Sequence, residues 1–452
     1  MNVSSYSVIQ TSVRNIQIDA RNAITVFSVS DSKLVMIPES ISNLRASVNI
    51  AVERCLVDAL DMAKFCDLSQ LQVLNFAANR IRFIINSSTK RCSVYDSLQI
   101  LALPNNLLTT LNMEIFNHFG KIQMLEVKQN RIKAVLGRFE STASLQLLLS
   151  KNKLTSIDFC GWNVSNMTSL EMDYNELTTV PACLDNVNSL TLLSIRTNRI
   201  QNVAIDSFAK LKRLVTLDVS FNNLTTIMLN SPHYPTSLRD LWITGNNLSQ
   251  LDLSLVSVPS LELDVRMNCI SSMDVDSISP NITKLNMAAN PIDCSWKTIF
   301  NHFGKIQMLE VKQNRIKAVL GRFESTASLQ LLLSKNKLTS IDFCGWNVSN
   351  MTSLEMDYNE LTTVPACLDN VNSLTLLSIR TNRIQNVAID SFAKLKRLVT
   401  LDVSFNNLTT IMLNSPHYPT SLRDLWITGN NLSQLDLSLV SVPSLELDVR
   451  MN

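Results

Sequence analysis

The feature that most constrains the fold of this chain is a short motif, LxxLxLxxNxL, that recurs along nearly all of its 452 residues. Clear copies are LQVLNFAANRI at 71–81, LQILALPNNLL at 98–108, LVTLDVSFNNL at 214–224 and LRDLWITGNNL at 238–248. Successive motif asparagines recur at a nearly constant interval. This interval lies in the range of roughly 20–50 residues that is typical of repeat architectures, in which each unit stacks on its neighbours. The asparagines are Asn79, Asn106, Asn130, Asn152, Asn175, Asn198, Asn222, Asn246, Asn268 and Asn290, with Cys55 and Ser32 in the same slot before them.

The spacing within the motif predicts the structure of one coil. The two leucines of LxL alternate inward, as in a short strand with a period of two. The asparagine follows where the chain turns, and its side chain can bond backbone groups of the adjacent coil that would otherwise be buried without partners. We predict an α/β solenoid, a leucine-rich repeat horseshoe with a parallel concave β-sheet and a convex side that is mostly irregular or short-helical.

The second distinctive feature is a duplication. Residues 299–452 are identical to residues 115–268, without a mismatch. Because tandem repeats diverge with time, this identity indicates a very recent duplication or gene conversion, or an error in assembling the gene. The step from Asn290 to Asn314 is as long as an ordinary step between motif asparagines, so we expect Leu309 to stack on Leu285. The predicted organisation is an N-terminal segment at 1–23, a solenoid at 24–298, and at 299–452 a duplicate that continues it without a cap.

Charge and motif content exclude several functions. The chain has 40 Lys and Arg against 38 Asp and Glu, which gives no electrostatic case for nucleic acid or an anionic membrane. No apolar run approaches the roughly 18 residues of a membrane span. The four histidines have no catalytic partner at a recognisable spacing, and no phosphate-binding loop or metal-ligand cluster occurs. We therefore expect no enzyme, with no catalytic residue, cofactor or metal.

Two pairs of cysteines occupy the same slots in successive coils, and the slots of a third pair differ by one residue. Cys160 and Cys183, for example, lie at the same distance before the motif asparagines of their coils. Equivalent positions of stacked strands are about 4.8 Å apart, which fits the Cα separation of a disulfide. Buried free cysteines are the alternative, since they are common in such cores. The predicted disulfides are Cys160–Cys183, Cys344–Cys367 and Cys66–Cys92.

Glycosylation motifs agree with an oxidising, extracellular location. The predicted glycosylation sites are Asn86, Asn163, Asn166, Asn223, Asn247 and Asn281. The first residues, MNVSSYSVIQTSVRN, contain no apolar segment typical of a signal peptide, so we expect the signal to be missing from the sequence.

The repeats, the segment LNMAANPIDCSW and the stretch LVMIPESI resemble the leucine-rich repeat immune proteins of mosquitoes. The resemblance implies secretion into haemolymph and two kinds of protein partner, a related leucine-rich repeat protein and complement-like thioester proteins. The cysteine-rich segment and coiled coils of that family do not occur in this sequence. An ectodomain fragment of a cell-surface receptor or adhesion protein is an alternative, and a cytosolic leucine-rich repeat scaffold is a second.

Binding is expected on the concave face, because strand residues between the inward leucines point outward there. Trp242 is the most unusual of them, since an exposed aromatic side chain is costly unless a partner covers it. Phe221 is close to the ordinary repeat consensus and receives little weight. We expect Arg196 to lie beside Asp173 and Asp218, and Trp242 between Asp218 and Asp264. The predicted partner-binding residues are Glu126, Lys128, Glu171, Asp173, Tyr174, Arg196, Asp218, Trp242, Asp264 and Arg266.

Overall fold

The computed structural model describes residues 4–272, 278–293, 296–297, 304–442 and 444–452, with only the backbone described at 296–297. The chain forms two compact units. One comprises Met1–Asn223 with Pro235–Leu238, and the other comprises Leu224–Tyr234 with Arg239–Asn452. The predicted boundary at 298–299 and Cys294 lie outside the described residues.

The first unit is built on a sheet of parallel strands, one from each coil. Leu125 pairs in register with Leu101 on one side and with Leu147 on the other, so the inner leucines of successive coils stack. The earliest strand begins at Ser5, within the segment expected to precede the solenoid, and pairs with the next strand from Val26. The strands are Ser5–Ile9, Val26–Ser30, Asn49–Glu53, Val73–Asn75, Ile100–Ala102, Met124–Glu126, Gln146–Leu148, Ser169–Glu171, Leu192–Ser194 and Thr216–Asp218.

The second unit repeats this construction. The register shifts at two places, between Leu261 and Glu262 and between Leu329 and Gln330. Both places belong to repeats that are one residue short before the strand, so the shift restores the stacking of the inner leucines. The strands are Asp240–Trp242, Leu261–Asp264, Ile282–Asn286, Met308–Glu310, Leu329–Leu332, Met351–Glu355, Leu376–Ser378, Thr400–Asp402, Asp424–Trp426 and Glu446–Asp448.

The return path of each coil is short and mostly irregular. Two- or three-residue strands lie there, at Ala59–Asp61, Phe83–Ile85, Thr110–Asn112, Ala134–Leu136, Glu140–Ser141, Asn163–Val164, Asn202–Ala204, Thr226–Met228, Trp296–Lys297, Ala318–Leu320, Ser340–Ile341, Asn386–Ala388 and Thr410–Met412. Short 3₁₀-helices occur at Glu39–Asn43, Met62–Phe65, Ser93–Asp96, Met113–Phe116, Leu184–Val187, Ile205–Phe208, Leu368–Val371 and Ile389–Phe392. The predicted parallel solenoid with a short-helical or irregular return side is confirmed. Among the described residues, no helix is long and apolar enough to cross a membrane.

The predicted asparagine ladder is present. Asn198 is 6% exposed. Its Nδ2 donates to the carbonyl oxygens of Met172 in the preceding coil and Ile195 in its own, both at 3.0 Å, and its Oδ1 accepts from the N–H of Leu177 at 2.9 Å. The same three bonds recur at other motif asparagines, for example Asn79, Asn130 and Asn382. The free thiol Cys55 occupies the ladder slot as predicted, and its Sγ donates to Glu53 O at 3.3 Å.

The start of the duplicate keeps the register of the second unit. Leu285 pairs with Leu309, and Asn286 pairs with Glu310. The ladder also continues, because Ile292 N donates to Asn314 Oδ1 at 3.2 Å. The inner leucines Leu285 and Leu309 therefore stack in adjacent strands, as the spacing of the asparagines predicts, whereas the organisation into 1–23, 24–298 and 299–452 stays a prediction.

Candidate functional site

The backbone turn at the end of each strand decides which side chains reach the outer face of the main sheet, that is, the face opposite the buried leucines. The residue before each ladder position has positive φ, with values of +54° at Tyr174 and Phe221 and +59° at Lys151. This left-handed residue turns the chain after the strand. The last strand residue, the residue two positions later and the left-handed residue of each coil therefore lie on this face. All ten predicted binding residues occupy these slots, and they are divided between the two units.

One cluster in the first unit combines opposite charges. Lys128 Nζ donates to Glu171 Oε2 at 2.8 Å across the intervening coil. Lys151 Nζ lies 5.7 Å from the centroid of the Tyr174 ring. These residues line a shallow depression of about 290 Å³, together with Glu126 and Asp173. The predicted residues from Glu126 to Tyr174 therefore lie side by side.

Asp173 is half-buried in a polar environment. Its Oδ1 accepts from Ser194 Oγ at 2.5 Å and from the N–H of Arg196 at 3.1 Å. Burial raises the pKa of Asp173 above its usual value, although both hydrogen bonds act in the opposite direction. Asp357, its copy in the second unit, shows the same shift for the same reason.

We expect the substitutions Asp173→Asn and Asp357→Asn, made together, to change the pH dependence of stability. A raised pKa in the folded state stabilises the fold at pH values below about 4, and this contribution is lost as the pH rises through the folded-state value. Asparagine keeps the Oδ1 acceptor and does not ionise. The double variant should therefore become more stable relative to the original chain as the pH rises from about 4 to 7. Apparent melting temperatures measured across this range would show the effect.

A control with the opposite sign is available. Hydrogen bonds from Ser254 and Ser438 lower the pKa of Asp252 and Asp436, respectively. Asp252→Asn with Asp436→Asn should therefore lose stability relative to the original chain over the same rise in pH. Equal pH profiles for the two double variants would contradict this account of Asp173.

Arg196 is held in place by the ring of Phe221, a residue that received little weight on sequence grounds. Its guanidinium carbon lies 4.4 Å from the centroid of the Phe221 ring, in a cation–π contact. Its Nη1 lies 4.0 Å from Asp218 Oδ2. Phe221 occupies the left-handed slot that carries Tyr174 two coils earlier, and this regular position was the signal that could have identified it.

Asp218 differs from the expectation of a solvent-facing residue. It is 5% exposed, because its Oδ1 accepts from the N–H of Ser220 at 2.8 Å and Arg196 lies beside its other oxygen. The carboxylate therefore serves the turn and holds Arg196. Its predicted role in partner contact stays a prediction.

In the second unit, Trp242 pairs in register with Asp264. The Trp242 side chain is 42% exposed. Arg266 Nη2 bonds Asp264 Oδ2 at 2.7 Å, so these two predicted charges pair with each other. The expected adjacency of Trp242 and Asp264 is therefore present.

The duplicate contains the whole aromatic arrangement within the second unit. Trp426 pairs in register with Asp402 on one side and Asp448 on the other. Arg380 stacks on Phe405 at 4.4 Å. Trp426, Phe405 and Arg380 line a shallow pocket of about 460 Å³, and Trp426 is 40% exposed.

Gly429 fixes the position of Phe405 in this pocket. Its φ is +68°, and a Cβ there would lie 2.7 Å from the Phe405 ring. Any larger residue would displace the ring and, with it, the stacked guanidinium of Arg380. The motif WITGNN thus supplies both the exposed tryptophan and the glycine that makes room for its aromatic neighbour.

The structure contains disulfides at the three predicted cysteine pairs. The Cα atoms of Cys160 and Cys183 are 5.1 Å apart, as are those of Cys344 and Cys367, and those of Cys66 and Cys92 are 4.4 Å apart. Within the described residues, Cys55 is buried and free, and Cys269 is exposed and free.

The predicted glycosylation sites differ in accessibility. Asn163, Asn166, Asn223 and Asn247 are exposed. Asn86 and Asn281 are half-buried. Asn86 Nδ2 donates to Tyr95 Oη at 2.6 Å, and Asn281 Nδ2 donates to Val256 O at 3.0 Å. A glycosylated asparagine retains one N–H, so these single bonds leave a position for the sugar.

Comparisons with known proteins agree with this geometry. A family model described as a leucine rich repeat matches residues 188–248 and 372–432. Lumican of Mus musculus and of Rattus norvegicus is 30% identical over 183 residues, which cover 34% of this chain and 53% of lumican. The chain thus spans about half the length of the curated relatives it matches.

Solved structures show the same fold. A leucine-rich repeat protein of Leptospira interrogans has a TM-score of 0.56 at 20% identity, covering 96% of this chain and 95% of that chain. The Toll–Spätzle complex of Drosophila has a TM-score of 0.57 at 17% identity, covering 90% of this chain and 51% of that chain. The APL1 leucine-rich repeat domain has a TM-score of 0.50 at 18% identity, covering 81% of this chain and 85% of that chain.

The stacked parallel strands, the asparagine ladder and the matched repeats define the class of this chain. It is a leucine-rich repeat protein. Because sequence identity to the solved structures is low, their likeness shows the fold alone.

Proposed function

We propose that this chain is a secreted leucine-rich repeat protein of innate immunity that binds protein partners through the outer face of its main sheets. The observation that carries the proposal is the exposure of Trp242 and Trp426, at 42% and 40%. Large aromatic and arginine side chains dominate the energetics of protein interfaces. An arginine stacked on phenylalanine lies beside Trp426 and is already held in place, which lowers the entropy lost on binding.

The disulfides support an oxidising, extracellular location, since such bonds are rare in reducing compartments. The exposed sequons at Asn163, Asn166, Asn223 and Asn247 are proposed glycosylation sites, together with Asn86 and Asn281. The proposed partners are a related leucine-rich repeat protein or a complement-like thioester protein, as the resemblance to mosquito immune proteins implies. The proposed role is recognition or scaffolding, without catalysis or a cofactor.

The test is the double variant Trp242→Ala with Trp426→Ala in the full chain. Each substitution should weaken binding at its own copy of the surface by about 2 kcal/mol or more, roughly thirtyfold in affinity. The melting temperature should change little, because both side chains are substantially exposed. The immobilised protein is exposed to haemolymph, and the captured proteins are quantified against the original chain.

Met228→Ala with Met412→Ala is the matched control. These methionines lie on the return side of their coils and are 58% and 57% exposed, so their replacement removes exposed apolar surface elsewhere. Specific partners should be lost with the tryptophan variant and retained with the methionine variant. Unchanged capture by the tryptophan variant, also after adding Arg196→Glu and Arg380→Glu, would exclude this face as the binding site.

A further inference from the structure

Several cationic side chains lie on the flank of the first unit, outside the outer face of the main sheet. They occupy the first and third positions after a ladder residue, where the chain leaves the sheet. In the coils from Asn79 to Asn152, the backbone N–H of each such cation donates to a carbonyl oxygen of the preceding coil at 2.8 or 2.9 Å, so the slots of successive coils stack in two columns. We call these residues the basic stripe. They are Arg80, Arg82, Arg131, Lys133 and Lys153.

The cations of the basic stripe are available to a partner. All five are exposed. Of these five side chains, Lys153 alone forms an ion pair with another described residue, namely Glu176 at 3.4 Å. Asp58 occupies the slot beside Arg82, and no ion pair between them is present among the described residues. The near balance of total charge therefore conceals a local separation of charge.

The spacing of the stripe fits a linear polyanion. Stacked coils are about 4.8 Å apart, so Arg80 and Arg131, two coils apart, are separated by roughly 10 Å along the flank. A row of fixed cations at this spacing attracts a chain of regularly placed anions. Arginine forms bidentate hydrogen bonds with oxyanions and binds them more specifically than lysine.

The neighbouring residues favour a polysaccharide over other polyanions. The columns contain Leu56, Leu107, Thr109 and Thr155 beside the cations, with no aromatic ring on which successive bases could stack. Beyond the stripe, the exposed Phe83 and Ile85 alternate across coils with the polar Thr110 and Asn112, so no continuous apolar surface is present for a membrane. A single exposed ring, Phe83 at 50%, suits contact with the apolar face of one sugar.

We propose that the basic stripe is a second binding site, which takes a linear sulfated polysaccharide. The site is separate from the tryptophan surface, because its residues lie after the ladder and off the outer face of the sheet. It requires no change in backbone conformation, since the columns are fixed by the solenoid itself.

The duplicate provides an internal comparison. Arg315, Lys317 and Lys337 repeat the last three cations of the stripe in the second unit. The coil before them presents Pro291 and Asp293 in the corresponding slots, and arginines equivalent to Arg80 and Arg82 do not precede them. The stripe of the first unit should therefore be the stronger site.

The experiment measures binding of the full chain to a heparin oligosaccharide at about 150 mM salt, where exposed charges more than about 8 Å apart are largely screened. The stripe variant reverses four charges, by Arg80→Glu, Arg82→Glu, Arg131→Glu and Lys133→Glu. The matched control makes the same change in net charge elsewhere in the first unit, by Arg14→Glu, Arg45→Glu, Lys121→Glu and Arg213→Glu. All eight side chains are exposed, and unchanged melting temperatures verify that both variants fold.

We expect the stripe variant to bind heparin at least about tenfold more weakly than the original chain, and the control variant to differ less than about threefold. Desulfated heparin should bind weakly to all three proteins. Equal losses of heparin affinity in both variants would show that only the net charge matters, and this would overturn the proposal. The proposal would also be overturned if the original chain failed to bind heparin, or if it bound single-stranded RNA or phosphatidylserine vesicles more tightly than heparin. Partner capture through Trp242 and Trp426 should persist in the stripe variant, which separates this site from the proposed function.

Discussion

Replacing Asn198 with alanine should lower the free energy of unfolding by about 3 kcal/mol or more, because each buried backbone group left without a partner costs about 1–3 kcal/mol. The substitution removes one acceptor, for the N–H of Leu177, and the donors to the carbonyl oxygens of Met172 and Ile195. These groups lie in successive coils, so the loss acts on the interface between repeats. Denaturant unfolding followed by circular dichroism would measure the change.

Two further variants test the mechanism. Asn188→Ala makes the same chemical change at an exposed site and should cost less than about 0.5 kcal/mol. Asn198→Cys should fall between the two, because Cys55 already fills a ladder slot with a thiol that donates to Glu53 O. If Asn198→Ala were no more destabilising than Asn188→Ala, the ladder would not stabilise the stack as described.

Removing the Cys160–Cys183 disulfide, by Cys160→Ala with Cys183→Ala, should cost about 3 kcal/mol, since the bond closes a loop across one whole repeat. The sequence separation is 23 residues. The disulfide lies next to Phe159, which packs edge-on against Trp162 with ring centroids 4.9 Å apart, so its loss should loosen this aromatic contact as well. Melting temperature is the measurement, supported by a linked peptide in a non-reducing digest of the original chain.

The corresponding change at Cys344 and Cys367 should have a similar effect, because the second disulfide closes an identical loop with the same Cα separation of 5.1 Å. Cys269→Ala removes an exposed free thiol and should leave the melting temperature unchanged. Complete alkylation of Cys160 and Cys183 without prior reduction would contradict the predicted bond.

The sequence by itself determined the repeat and its local chemistry. The LxL pattern placed Leu125 and Leu147 in register, because alternation of side chains in a strand leaves only one face for the core. The asparagine spacing located the ladder, since one side chain that both donates and accepts can satisfy backbone groups of two coils. Equal distances from the ladder to Cys160 and Cys183 identified their pairing. These features are local or repeat at a fixed interval, so they can be derived without coordinates.

The tertiary structure decided which outward positions are available to a partner. Asp218 and Trp242 both occupy the last strand position of their coils, yet one is 5% and the other 42% exposed. The difference depends on contacts that the motif does not encode, since Arg196 lies over Asp218 and is held there by Phe221. Phe221 was undervalued for the same reason, because its role arises from a neighbour in another coil.

The duplicate shows the limit of the sequence most directly. Leu253 and Leu437 are the same residue of the two copies, but Leu253 is fully buried and Leu437 is 46% exposed. Val265 and Val449 differ likewise, at 0% and 37%. In the first copy, the strand Ile282–Asn286 pairs with the coil that contains Val265 and covers it. Identical local sequence therefore specifies the same strand and turn, whereas the burial of its side chains depends on the coil stacked beside it.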